Sequence, residues 1–151
     1  MAVRKRKPTS TRGAKARSFE KRHFNYGRWT KGRFSEAVTV TGPGKMIFLA
    51  GIGSEHEQSG KIMHPGDFTA QCRYAYRKLK KVLARNGATM ADVVKQVTYV
   101  IDARNQSAAG ACRREAYGDA PLPAHTFVVV SQLAWPGMVV EVDVIAMVPL
   151  K

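Results

Sequence analysis

The stretch MVVEVDVIAMV, residues 138–148, alternates apolar and charged side chains over much of its length. A period of two is typical of a β-strand whose two faces meet different surroundings. One face carries small apolar side chains, namely Val140, Val142, Val144 and Ala146. The other face carries Glu141, Asp143 and Ile145. We therefore predict that the valine face packs against a core, while the acidic face meets water, a ligand or another subunit.

Three further apolar runs have the composition of strands. TFVVV at 126–130 precedes the first stretch and is separated from it by the corner QLAWPG at 132–137. Because TFVVV is apolar on both faces, we expect oligomerisation rather than solvent to cover its outer face. VTV at 38–40 and MIFLA at 46–50 are separated by TGPGK, a turn-forming sequence, and are interpreted as a β-hairpin.

Two other segments have the periodicity or composition of helices. Residues 68–86 repeat apolar positions every three or four residues, after Asp67 as an N-cap and before Gly87 as a stop signal. The Ala-rich segment 107–118 predicts a second helix, and 91–102 predicts a helical turn followed by a strand. The resulting order, β-β-α-β-α-β-β, predicts an α+β fold with two helices covering one face of a mixed sheet.

The positive charge is concentrated at the start of the chain. Of the 25 Lys and Arg residues behind the net charge of +14, 12 lie in residues 1–33 with a single acid. Such a segment buries too little apolar surface to offset its ordering entropy. We predict a disordered basic arm over residues 1–22 and a single folded domain over residues 23–151.

The basic arm could attract nucleic acid by releasing counterions from phosphates, with Phe24, Tyr26 and Trp29 available to stack on bases. The favoured interpretation is a solubilising arm whose aromatic end packs against the domain or a neighbouring subunit. The chain has no apolar run of the roughly 18 residues that a membrane helix needs, so we expect a cytoplasmic protein without membrane contact.

The cysteines and loop histidines do not have the spacing of a metal site. Cys72 and Cys112 are 40 positions apart with no CxxC motif, so we predict that both are reduced and structural. His56 and His64 lie in a polar loop without a ligand-like arrangement. No metal or organic cofactor is expected.

From about Phe34 to Leu150 the chain resembles the Rid/YjgF family of small trimeric proteins, many of which hydrolyse reactive enamines and imines to ketones and ammonia. The resemblance rests on an ordered series of motifs: MIFLAGIG, SGKI, DFTAQCRYAYRKLKKVLARNGATMADVVKQVTYVID and PLPAHTFVVVSQLAWPGMVVEVDVIA. It implies the chorismate-mutase-like YjgF fold, a barrel-like homotrimer with small-molecule clefts between its subunits.

The resemblance also implies which residues form the cleft. Carried over by position, they are Phe34, Ala50, Gly51, Gly110, His125, Phe127 and Glu141. Glu141 would position the hydrolytic water and relay protons, while His125 would protonate the departing nitrogen or orient the substrate. Trp135 is expected either to wall the cleft or to fill the core.

Two positions depart from the imine deaminases of that family. Those proteins have at position 125 an Arg that grips the substrate carboxylate, which imidazole cannot do bidentately. Ala50 lacks the hydroxyl of the family's Ser. We therefore expect a deaminating hydrolase of a small reactive enamine or imine other than simple 2-iminoacids. A non-catalytic, metabolite-binding trimer is the alternative, and a ribonuclease or RNA-binding protein is the third.

Overall fold

The computed structural model describes residues 18–150, which form six strands and two α-helices besides short 3-10 turns. The strands are β1 (Glu20–Phe24), β2 (Ala37–Thr41), β3 (Gly44–Phe48), β4 (Val93–Val100), β5 (Ala124–Val129) and β6 (Val140–Pro149). The helices are α1 (Phe68–Arg85) and α2 (Gln106–Tyr117). No helix within residues 18–150 combines the length and the apolar character that crossing a membrane requires.

The main sheet is mixed and has the strand order β3-β6-β4-β5. β4 runs parallel to β5 and antiparallel to β6, and β6 is antiparallel to β3. Both helices contribute buried side chains to the same core, and they contact each other as well. The prediction of an α+β fold with a mixed sheet is confirmed.

The structure has one strand more than was predicted from the sequence. β1 begins at Glu20, inside the segment 1–22 that was interpreted as an arm, and pairs antiparallel with β2. The local sequence EKRHF has no apolar alternation, so its strand conformation depends on pairing with β2 and not on a local pattern. The rest of the predicted arm, residues 1–17, lies outside the described residues.

The predicted hairpin between the second and third strands is wrong. β2 pairs with β1, whereas β3 pairs with β6 in the other sheet. The chain passes from one strand to the next through Gly42, whose φ of +87° favours glycine. A Cβ at this position would also lie 2.5 Å from the carbonyl oxygen of Ser18. The turn residues were recognised correctly, but long-range pairing decides which sheet each strand joins.

The alternation along β6 is confirmed. Its small apolar face is fully buried at Val140, Val142, Val144 and Ala146. α1 packs on this strand and contributes Ala75, Leu79 and Leu83, which are also inaccessible to solvent. A fully buried side chain of this kind stabilises a fold by about 1.5–3 kcal/mol, so this layer forms the centre of the core.

Both ends of α1 follow the sequence signals. The Asp67 side chain accepts a hydrogen bond of 3.0 Å from the Ala70 amide, as an N-cap does. Gly87 follows the helix in the left-handed conformation, with a φ of +76°.

The prediction that both cysteines are reduced is wrong for this structure, in which Cys72 of α1 and Cys112 of α2 form a disulfide. Their Cα atoms are 6.5 Å apart, a normal separation for a disulfide. The 40-residue spacing could not reveal the bond. The intervening segment includes β4, which returns the chain so that α2 packs beside α1.

Candidate functional site

A cavity of about 740 Å³ opens beside α2, between that helix, strands β4 and β5, and the segment 29–34. We call it the α2 cavity. Four residues expected to form the cleft line it, namely Phe34, Gly110, His125 and Phe127. Its volume is within the range of small-ligand sites. The structure thus brings together four of the eight residues that the sequence singled out, Trp135 included.

The register between β4 and β5 directs His125 into this cavity. His125 lies opposite Gln96, and Phe127 lies opposite Thr98. Residues opposite each other in neighbouring strands share one face of the sheet. Gln96 and Thr98 are buried, which places all four side chains on the face that the helices cover.

An aromatic row forms one side of the α2 cavity. The ring centroids of Trp29 and Phe34 are 5.6 Å apart in an edge-to-face arrangement. The Phe34 and His125 rings follow at 6.4 Å. Such rings offer flat apolar surface to a planar ligand. Trp29 thus contacts Phe34, while the residue stays 67% exposed.

A chain of hydrogen bonds connects His125 to the core. Its Nε2 lies 3.0 Å from Thr98 Oγ1, which also accepts a bond of 2.9 Å from Gln96 Nε2. Gln96 Oε1 in turn accepts a hydrogen bond from the Tyr117 hydroxyl at 2.9 Å. Thr98 Oγ1 carries one hydrogen and two lone pairs, so it can accept from the amide and still either donate to His125 Nε2 or accept from it.

Burial lowers the pKa of His125 to about 3, and the positive charges of Arg113 and Lys95 add to the effect. The imidazole is therefore neutral near pH 7, where one of its nitrogens is a donor and the other an acceptor. Of the two roles expected for His125, orienting the substrate fits a neutral ring better than protonating a departing nitrogen.

The neutral state of His125 predicts a pH-dependent stability. Its folded pKa lies below the reference value of 6.5, so the unfolded chain takes up a proton first as the pH falls. The contribution of neutral His125 to the free energy of unfolding is complete above about pH 6.5. It decreases as the pH falls toward 3, by at most about 1.4 kcal/mol per pH unit.

Urea unfolding at several pH values between about 4.5 and 6.5 measures this contribution. His23, whose pKa burial also lowers, adds a slope of the same sign, so wild type must be compared with His125→Gln. The variant should show the shallower pH dependence. Equal slopes would mean that His125 titrates normally in the folded protein.

Glu141, the other expected catalytic residue, lies on the opposite face of the sheet. It is paired in register with Tyr99, the neighbour of Thr98 on β4. Successive residues of a strand project from opposite faces, so Glu141 points away from the face that carries His125. One subunit does not bring the two side chains together.

The surroundings of Glu141 are acidic and close-packed. A Cβ at Gly51 would lie 2.0 Å from Glu141 Oε1, so the carboxylate occupies the space that a side chain there would need. Backbone bonds of 2.8 and 3.0 Å between Ile52 and Val142 hold this segment against β6. Burial raises the pKa of Glu141, and the charges of Glu55 and Asp143 raise it further. The raised pKa makes the Glu141 carboxylate a stronger base than a free glutamate side chain.

Ala50 and Trp135 have less to do with the α2 cavity. Ala50 is exposed beside Gly51 and does not line the α2 cavity. Trp135 is 58% exposed in the loop before β6, so in one subunit it neither fills the core nor lines the α2 cavity. Within the described part of the chain, no group of three or more His, Cys, Asp and Glu side chains is placed to hold a metal ion.

Sequence reasoning missed Arg113, which is buried and lines the α2 cavity. A signal was available, because Arg113 follows Ala109 by four positions and precedes Ala116 by three, and both alanines are buried. An arginine at that spacing falls on the inner stripe of the helix, not on its solvent face.

Comparisons with known proteins agree on one family. A family model described as endoribonuclease L-PSP matches residues 28–148. A RutC family protein of Pyrococcus abyssi is 30% identical over 115 residues, which cover 76% of this chain and 86% of that protein. Another RutC family protein, from Synechocystis, is 27% identical over 118 residues, covering 78% and 88%.

Solved structures extend the similarity to the fold. A Rid family protein of unknown function from Yersinia pestis has a TM-score of 0.78 and 30% identity, covering 85% of this chain and 98% of that one. A YjgF/YER057c/UK114 family member from Mycobacterium tuberculosis has a TM-score of 0.58 and 29% identity, covering 85% and 100%.

Proposed function

We propose that this chain, which belongs to the Rid/YjgF (endoribonuclease L-PSP) family, hydrolyses a small reactive enamine or imine and releases ammonia. The reaction would take place in a cleft between two subunits of a homotrimer. One observation carries the proposal: His125 and Glu141 lie on opposite faces of one sheet. A site that uses both must therefore combine the His125 face of one subunit with the Glu141 face of another.

Each residue has a role that its surroundings support. Trp29, Phe34 and Phe127 hold the flat, conjugated body of the substrate. Neutral His125 hydrogen-bonds to the substrate through the ring nitrogen that Thr98 does not contact and fixes the orientation of the reacting C–N bond. Glu141, with its raised pKa, takes a proton from the attacking water and returns it to the leaving nitrogen.

A non-catalytic, metabolite-binding trimer is the second candidate. The absence of side-chain polar groups at Ala50 and Gly110 favours it, since fewer donors are left to stabilise a reaction intermediate. It predicts saturable binding without turnover. A ribonuclease is the third candidate and rests on the description of the family model.

The test is an assay of ammonia release by the purified protein from 2-iminoacids and from longer conjugated enamines, with RNA cleavage measured in parallel. We expect turnover of the conjugated enamines and little turnover of simple 2-iminoacids. A His125→Ala, Glu141→Ala double variant should lose ammonia release. Unaltered release in that variant would contradict the assignment.

Gly51→Ala should lower kcat by about tenfold, because the new Cβ displaces the Glu141 carboxylate from its place. Gly51 does not have a positive φ, so alanine is compatible with its backbone, and the displaced group is the flexible end of a side chain. The melting temperature should therefore change little.

The matched control places Gly51→Ala on a Glu141→Gln background. If Gly51 acts through Glu141, the second substitution should cost no further activity. Additive losses would mean that Gly51 affects the reaction by another route.

A further inference from the structure

Arg113 is a buried cation whose only partner among residues 18–150 is one backbone carbonyl. Its side chain lies on α2, and the residue is only 6% exposed while lining the α2 cavity. Nη2 donates to the carbonyl of Arg33. Nε is buried and has no hydrogen-bond partner. Native proteins rarely leave a buried, charged donor in this state.

The surroundings of Arg113 do not neutralise its charge. Arg33 and Arg114 line the same cavity, and none of the side chains found to line it is acidic. No ion pair of Arg113 occurs in the described ranges. Burial lowers the pKa of Arg113, yet a guanidinium stays charged at neutral pH. An uncompensated buried charge costs several kcal/mol, which an anion in the cavity would offset.

We propose that Arg113 binds the carboxylate of a small, planar, unsaturated ligand in the α2 cavity. Nε is out of reach of the cavity, so the ligand would meet the Nη end of the guanidinium, which can also grip two carboxylate oxygens at once. The rest of the ligand would contact the rings of Trp29, Phe34 and Phe127 and the neutral imidazole of His125. Three flat apolar groups suit a conjugated carboxylate better than a free phosphate.

This inference deepens the proposed function, because it names the ligand class that the same cavity takes. It places the charge-binding group on α2, whereas the residue at position 125 of β5 is a neutral imidazole. Binding can be measured without turnover, so failure of the binding test and failure of the ammonia assay are separate results.

The experiment is isothermal titration of the full chain with benzoate, a planar carboxylate, and with benzamide, its uncharged analogue. Wild type should bind benzoate at least about tenfold more tightly than benzamide, as expected for charge-assisted hydrogen bonds. Arg113→Met should weaken benzoate binding by about 10- to 100-fold and leave benzamide binding unchanged. The matched control Arg104→Gln removes an exposed arginine outside the cavity and should bind benzoate as wild type does.

Two further measurements keep the proposal open to contradiction. Without ligand, Arg113→Met should melt no lower than wild type, because an apolar side chain replaces an unpaired buried charge. A large fall in melting temperature would show instead that Arg113 has a structural role. In that case Arg113→Lys, which keeps the charge, becomes the test variant, and the proposal requires that it bind benzoate better than benzamide. Any of three results would overturn the proposal. They are equal binding of benzoate and benzamide by wild type, unchanged benzoate binding in Arg113→Met, and tighter binding of inorganic phosphate than of benzoate.

Discussion

Mixing the His125→Ala and Glu141→Gln proteins should restore ammonia release that neither variant shows alone. Each single variant is expected to lose about 100- to 10 000-fold in kcat/KM, the usual contribution of a positioned acid–base or orienting group. In the proposed homotrimer, random mixing would leave one site in about four with an intact His125 from one subunit and an intact Glu141 from its neighbour. The mixture should therefore recover about a quarter of the wild-type rate.

The physical reason is the position of the two residues on one sheet. His125 is in register with Gln96, on the face that the helices cover, and Glu141 is in register with Tyr99, on the other face. A site contained in a single subunit would regain nothing on mixing, since each variant chain lacks one of the two groups.

Subunit exchange needs its own control. The two variants should be mixed after mild denaturation and refolding, and the same treatment of each variant alone should leave it inactive. Failure of the mixture to regain activity, with exchange demonstrated by mass spectrometry of tagged chains, would contradict a cleft shared between subunits.

Removing the disulfide should lower the free energy of unfolding by about 4 kcal/mol, the chain-entropy value for a loop closed over 40 residues. The double variant Cys72→Ala, Cys112→Ala tests this by urea unfolding without reductant. α2 carries Arg113 directly after Cys112, so loosening this helix should also weaken benzoate binding.

Wild type unfolded in a reductant provides the matched control. Under those conditions the difference between wild type and the double variant should shrink to the cost of the smaller side chains, because neither protein has the bond. Two titratable thiols in unreduced, unfolded wild type would contradict the disulfide.

Much of the fold could be predicted from local patterns. The alternation along β6 and the 3–4 spacing of α1 are properties of neighbouring residues, and both elements formed where these patterns indicated. The prediction of a hairpin between β2 and β3 was wrong because TGPGK indicates a turn but does not determine which strand either of them pairs with.

The candidate site could be predicted only in part. Phe34, Gly110, His125 and Phe127 line one cavity of a single subunit, whereas Ala50, Gly51 and Trp135 do not line it. Sequence reasoning paired His125 with Glu141 because the family resemblance assigns both to the cleft, and only the strand register shows that one subunit holds them on opposite faces. Arg113 was overlooked because an arginine on a helix usually belongs to a solvated face.

The sequence by itself determined the α+β class, the core face of β6 and the limits of α1, since these follow from the order of side chains along short segments. Only the tertiary structure decided that Cys72 meets Cys112, that His125 and Glu141 face opposite ways, and that Arg113 is buried beside the cavity. Each depends on strand order and helix packing between residues far apart in the chain, where the local pattern has no information.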